Sequence, residues 1–154
     1  MIIHILKTKP KSRFSLFSKL IMLIQGTNYS HYAIKFSHFV IEARVNGVKT
    51  SQYTAFIKKN VLVESYLLEI PQTLREFFNW TYDYLKRPYG FIQLFGTLFK
   101  LLGLVKTNPW GKDARKIVCC ELVMLMCRDL LKIDIGDSDD YDLKQTDEFV
   151  RGLL

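Results

Sequence analysis

The sequence predicts an α+β domain: an antiparallel sheet of about four to six strands with helices packed against it. Two observations point there. Between residues 32 and 70 the chain runs in β-branched and aromatic stretches of strand length, YAIKF, FVIEARV, VKTSQYTAFI and VLVESYLLEI. Before and after that block, apolar residues recur at helical spacing, giving the order helix, sheet, helices.

In chain order, IIHIL at 2–6 reads as a short buried strand and KTKPKSR as a polar, proline-containing loop. SLFSKLIMLIQG reads as a short helix with Leu16, Leu20, Leu23 and Ile24 on one face and Gly26 as its stop. VNGV at 45–48 is an Asn-Gly hairpin turn, a pair that tolerates positive φ at both central positions. KKN at 58–60 reads as a second turn, which makes an antiparallel meander of about four strands. Pro71 then opens a helix through Lys86, with Leu74, Phe77, Phe78, Thr81 and Leu85 at helical spacing, and Pro88 ends it. FIQLFGTLFKLLGLV is apolar nearly all round, so it is a buried helix or one lying on a hydrophobic partner. TNPWGKDARK is a loop. A helix from Cys119 to Lys132 presents Leu122, Leu125, Met126 and Leu130 to the core, and the acidic tail ends in a short terminal helix.

At 154 residues the chain reads as one domain, 1–154, able to bury roughly two-thirds of its unfolded surface. Its 49% hydrophobic and 14% aromatic content excludes a disordered chain. MIIHILKTKPKSRF lacks the charged-then-apolar order and the cleavage site of a signal peptide, and no apolar run is long enough to span a bilayer. A soluble protein made in the cytoplasm is the expectation, in the compact, lysine-rich style of a phage or bacterial product. The net charge of +7 is uneven. Residues 1–60 hold ten Lys and Arg against one acid, Glu42, whereas residues 61–154 hold twelve against fourteen acids. The basic half suits an anionic partner (lipid surface, wall polymer or nucleic acid), and equally a solvated surface.

KIVCCELVMLMC concentrates Cys119, Cys120 and Cys127 in twelve residues. An odd number of thiols without a secretion signal argues against a disulfide framework. Adjacent cysteines with His4, His31 and His38 far upstream do not match zinc-ligand spacing, so neither a metal nor another cofactor is expected. A calcium loop fails too: Asp137, Asp139 and Glu148 fit positions 1, 3 and 12, but Tyr141 and Asp142 occupy positions 5 and 6.

A nucleophilic reading needs a thiolate, a base and a group to orient that base. Cys119 falls where a loop gives way to an amphipathic helix, whose free N–H groups and positive dipole end stabilise a sulfur anion. His31 opens a strand in NYSHYAIKF, and Glu42 interrupts the apolar FVIEARV on the next strand. A hairpin turning around Ser37-His38 pairs positions summing to about 74, which puts Glu42 near Tyr32 and, with a small shift of the turn, beside His31. A carboxylate in an apolar strand is costly unless paired, and the imidazole is its partner. Cys127, two turns further along the helix, belongs to the core, as His4 and His38 belong to the structure.

YSHYAI, VIEA and VCCELV resemble the motifs of the permuted papain-like thiol hydrolases of the NlpC-type superfamily, YiiX-like branch. These carry SHxxI, V-[IL]-E-A and a late C-S-E-L-V helix start. The resemblance covers roughly residues 20–150 and implies a circularly permuted papain-like fold with its nucleophile at the start of a late helix. It implies Cys119 as nucleophile, His31 as base and Glu42 as the residue that holds the imidazole tautomer, in a metal-free acyl transfer. Cys120 stands where the family has serine. KRPYGF at 86–91 looks like the family's tyrosine segment, which places Tyr89 on the substrate pocket, with Arg87-Pro88 where a glycine is usual. The implied activity is cleavage of an amide in a peptide or peptidoglycan-like substrate. Lipid deacylation or acyl transfer is the alternative enzyme reading. A non-catalytic, virion- or nucleic-acid-associated binding protein with the same shell is the alternative outside enzymology.

Overall fold

The computed structural model describes residues 1–12, 15–106, 116–138 and 141–154. The elements run β1 (Ile2–Pro10), α1 (Leu16–Gln25), β2 (His31–Phe36), β3 (Phe39–Arg44), β4 (Gly47–Gln52), α2 (Tyr53–Lys59), β5 (Asn60–Glu69), α3 (Leu74–Tyr84), α4 (Phe91–Leu101), α5 (Cys119–Leu131) and α6 (Leu143–Arg151). The architecture is α+β, with a five-stranded antiparallel sheet in the order β4-β3-β2-β1-β5. The expected loop TNPWGKDARK lies outside the described residues apart from Lys116, as does Asp139.

Strands β2, β3 and β4 form the expected meander, but β5 is not its fourth strand. It pairs with β1 at the other edge of the sheet. The residues expected to extend β4, Tyr53 to Ile57, and Lys58 and Lys59 of the KKN expected as a turn instead form α2, which carries the chain across, and Asn60 begins β5. Alanine and lysine favour helix there, and the helix buries Phe56 against Leu6, Ala33 and Val40. The Asn60 amide donates to the Phe56 carbonyl at 3.0 Å and closes the helix end. β1 likewise outruns its expected end at residue 6. Lys7 to Pro10 stay in the sheet because β5 supplies partners as far as Pro10↔Asn60. Proline fits there because it lies at the strand's end, beyond the last β2 pair, Thr8↔His31.

The Asn-Gly turn joins β3 to β4, although only Gly47 takes positive φ, at 93°. A Cβ at Gly47 would lie 2.5 Å from the Arg87 carbonyl oxygen. The absent side chain admits the segment after α3, and Val48 N–H donates to that carbonyl at 2.9 Å. Helix α3 is capped at Thr73 rather than opened at Pro71: Thr73 Oγ1 accepts the Glu76 N–H and the Glu76 carboxylate accepts the Thr73 N–H. It buries Phe77, Trp80, Thr81 and Tyr84, leaving Leu74 and Phe78 exposed.

Helix α5 is the centre of the core. Ten of its thirteen residues are buried, and it packs on β2 and β3. Each fully buried Leu, Val or Met side chain contributes roughly 1.5–3 kcal/mol. Helix α1 ends at Gly26 as expected, in the left-handed conformation. Its buried side is the other one, however: Ile21 and Gln25 are buried while Leu16, Leu20 and Leu23 face outward. Helix α4 is not buried all round, since Ile92, Phe95 and Leu101 are exposed.

Candidate active site

Cys119 is the first residue of α5, which begins with Leu122 N–H donating to the Val118 carbonyl at 3.0 Å. The N–H groups of Cys119, Cys120 and Glu121 precede that first helical bond, so the positive helix end meets the thiol. The Glu121 carboxylate accepts the Val118 N–H at 3.3 Å and fixes the loop-to-helix corner. The start of β2 lies against this corner, and the Tyr32 backbone favours an anion on the Cys119 sulfur.

His31 opens β2 and Glu42 lies in β3. The hairpin pairs Ile34↔Ile41, Lys35↔Val40 and Phe36↔Phe39, so positions sum to 75 rather than 74. Continued toward His31, that register sets Glu42 opposite Ala33 and makes His31 its diagonal neighbour. Diagonal pairs on one side of a sheet remain within reach of long side chains. His31 Nε2 and Glu42 Oε2 are 3.1 Å apart. This leaves Nδ1 as the ring nitrogen available to Cys119, which interacts with the imidazole.

The electrostatics separate the two adjacent thiols, which exposure does not: Cys119 is 7% exposed and Cys120 6%. The neighbouring Cys120 thiol, the facing His31 imidazole and the Tyr32 backbone together hold Cys119 well below the ordinary thiol value despite burial. The same contact and burial push Cys120 well above it. Burial alone raises Cys127 to about 12. All three thiols are free. Burial opposes the charge on His31, but hydrogen bonds to Cys119 and Glu42, with their charges, raise it to about 9. Burial likewise opposes the Glu42 carboxylate, and His31 and Arg44 outweigh it and hold its pKa below the ordinary value.

The arrangement is thus a thiol, an imidazole and a carboxylate in sequence, the last two hydrogen-bonded, with the thiolate–imidazolium form favoured. Arg44 was not anticipated. Its Nε donates to the same Glu42 oxygen at 2.7 Å. Its position two residues after Glu42, on the same side of β3, is the signal that could have found it. The influence of Cys120 on Cys119 was not legible either.

Tyr89 forms an isolated parallel bridge with Ile117, and burial with the charges on Cys119 and Cys120 raises its phenol well above the ordinary value. Tyr89 and His31 line a cleft of about 730 Å³ together with Phe17, Arg44, Lys49 and Lys59. Among the described residues, no carboxylate lines the cleft. Ser30 borders it as well, and among the described residues its buried hydroxyl finds no hydrogen-bond partner. Among the described residues, no group of three or more His, Cys, Asp or Glu gathers as a metal would require. Asp142 instead caps α6, accepting from Gln145 N–H at 2.8 Å. No family model matches the chain, and neither do any curated protein or solved structure.

Proposed function

We propose that this chain is a cysteine-dependent acyl hydrolase of permuted papain-like architecture, cleaving an amide in a peptide or peptidoglycan-like substrate. The observation that carries this reading is the His31 imidazole, hydrogen-bonded to Glu42 on one side and interacting on the other with a thiol on the first turn of a helix. The Cys119 thiolate attacks the carbonyl carbon, forming a C–S bond, and first-turn N–H groups of α5 receive the developing oxyanion. Collapse breaks the C–N bond, and the His31 proton passes to the leaving amine. Water then attacks the thioester with His31 as base, releasing the acid and restoring the pair. Glu42 holds the imidazole with Nε2 directed away from the sulfur, and Tyr89 borders the substrate.

The test is alkylation of the native protein near neutral pH, followed by mapping of the modified cysteine. Cys119 is expected to react first, at a rate falling about a hundredfold in His31→Ala. If all three thiols react slowly and alike until the protein is unfolded, the catalytic reading is lost and a binding role takes its place. A second reading, lipid deacylation by the same residues, is favoured by the apolar outer face of α1 beside the cleft. It gains if wild type, but not Cys119→Ser, releases fatty acid from phospholipid while amide substrates stay intact.

A further inference from the structure

The outer face of α1 is the least expected surface of the molecule. At 100° per residue, Leu16, Lys19, Leu20 and Leu23 fall within one third of the helix circumference, and Ile21 and Gln25 fall on the other side. Leu16 is 78% exposed and Leu23 79%, whereas Ile21 and Gln25 are buried. The helix is therefore apolar on both sides, and packing of the domain uses only one of them. Helix α4 packs beside it, with the Phe17 and Phe95 rings 6.1 Å apart, and adds Ile92, at 53% exposure, to the apolar surface.

Charge decides what suits this face. Neither α1 nor α4 contains a carboxylate, and Lys19 stands among the exposed leucines. The inner side of α1 contributes Phe17, Ser18 and Ile21 to the cleft, whose rim bears Arg44, Lys49 and Lys59. Lys11 joins that rim, with its N–H donating to the Lys59 carbonyl at 2.9 Å. Exposed leucines find no partner on a nucleic acid. A second copy of a chain of net charge +7 would press like charges together. An anionic bilayer surface satisfies both features: leucines enter the acyl boundary while lysines meet the head groups. No helix among the described residues is long and apolar enough to cross a membrane, so contact would be in the plane of the interface.

The geometry points to the α1–α4 face as a docking surface for an anionic lipid bilayer, which sets the mouth of the cleft at the head groups. This holds whatever bond the thiol site cleaves. The full chain is expected to sediment with vesicles containing phosphatidylglycerol and about tenfold less with phosphatidylcholine alone, with binding that weakens as salt rises. Leu16→Glu combined with Leu23→Glu is expected to reduce binding at least about tenfold while leaving the melting temperature unchanged, since both positions are already in solvent. Lys19→Glu is expected to weaken only the anionic-vesicle arm. Cys119→Ser is expected to bind as wild type, which separates this inference from the catalytic one. Lack of binding to either vesicle at low salt overturns it, as does binding that the leucine variants leave unchanged. A concentration-dependent dimer abolished by the same leucine variants would also overturn it, because it would assign the face to a second copy.

Discussion

Two clusters of buried charge sit on this sheet, and they are built to opposite ends. Around Lys7 every charge is held by a permanent partner. Its ammonium, 3% exposed, donates to Tyr66 Oη and Asp147 Oδ1 at 2.8 Å each and also pairs with Glu64. It lies 4.7 Å from the centre of the Tyr29 ring, and Arg151 bridges Glu64 and Asp147 from outside. Around His31, by contrast, the imidazole itself borders an open cleft and has a buried thiol behind it. The first cluster clamps α6 to β1 and β5. The second holds a proton that can move. Burial of charge by itself does not mark a functional site; a titratable group on a cleft, as His31 is, does.

Variants in the two clusters should therefore fail in different ways. The largest effect is expected at the thiol end. Cys119→Ser should lower hydrolysis about a thousandfold or more with little change in melting temperature, measured on any amide substrate the wild type turns over. Lys7→Met should do the reverse. It leaves Asp147 and Glu64 facing one arginine and should cost about 2–4 kcal/mol in urea unfolding, while Cys119 alkylation in the folded protein keeps its rate. Loss of alkylation in Lys7→Met without loss of stability would undo the contrast.

The clusters should also part on opposite sides of neutral pH. Lys7 holds Asp147 and Glu64 below ordinary carboxyl values, outweighing burial at Asp147. The stability those carboxylates contribute is present above their unfolded values and disappears as pH falls through the lower folded ones. His31 is raised to about 9, so the imidazolium is complete below its unfolded value and is lost as pH climbs through about 9. Acid should loosen the clamp, seen as a falling urea midpoint. Alkali should cost the site its proton donor, seen as a falling limb of hydrolysis near pH 9.

Smaller effects sharpen the contrast further. Glu42→Gln should slow hydrolysis about tenfold and shift that alkaline limb to lower pH, because the imidazolium loses the carboxylate hydrogen-bonded to Nε2 while Arg44 loses its partner. Cys127→Ala should cost about 1 kcal/mol or slightly more and leave the alkylation rate alone, as expected of a core thiol.

Much of this was legible in the sequence for simple reasons. β-Branched and aromatic runs of strand length pointed to β2 and β3, and a short turn between them set Glu42 near Tyr32, one position from the register partner Ala33. A thiol at the junction of loop and amphipathic helix pointed to Cys119. What failed were elements whose local pattern competes with long-range pairing. VKTSQYTAFI is strand-like throughout, yet its second half forms α2, because Phe56 finds its burial beneath β1, β2 and β3 only as a helix. KTKP reads as a loop, yet it is strand because β5 arrives from fifty residues away to pair with it.

The sequence by itself determined the α+β class, the helix–strand periodicities and the residue types able to carry thiol chemistry, since these depend on neighbours within a few positions. Only the tertiary structure decided which side of α1 is buried, because both sides are apolar and packing chooses between them. Likewise, only the fold brought β2, β3 and the start of α5 to one point. There the contacts among His31, Glu42, Arg44, Cys119 and Cys120 lower one thiol and raise its neighbour. Such shifts arise from distances across the chain, and spacing along it does not contain them.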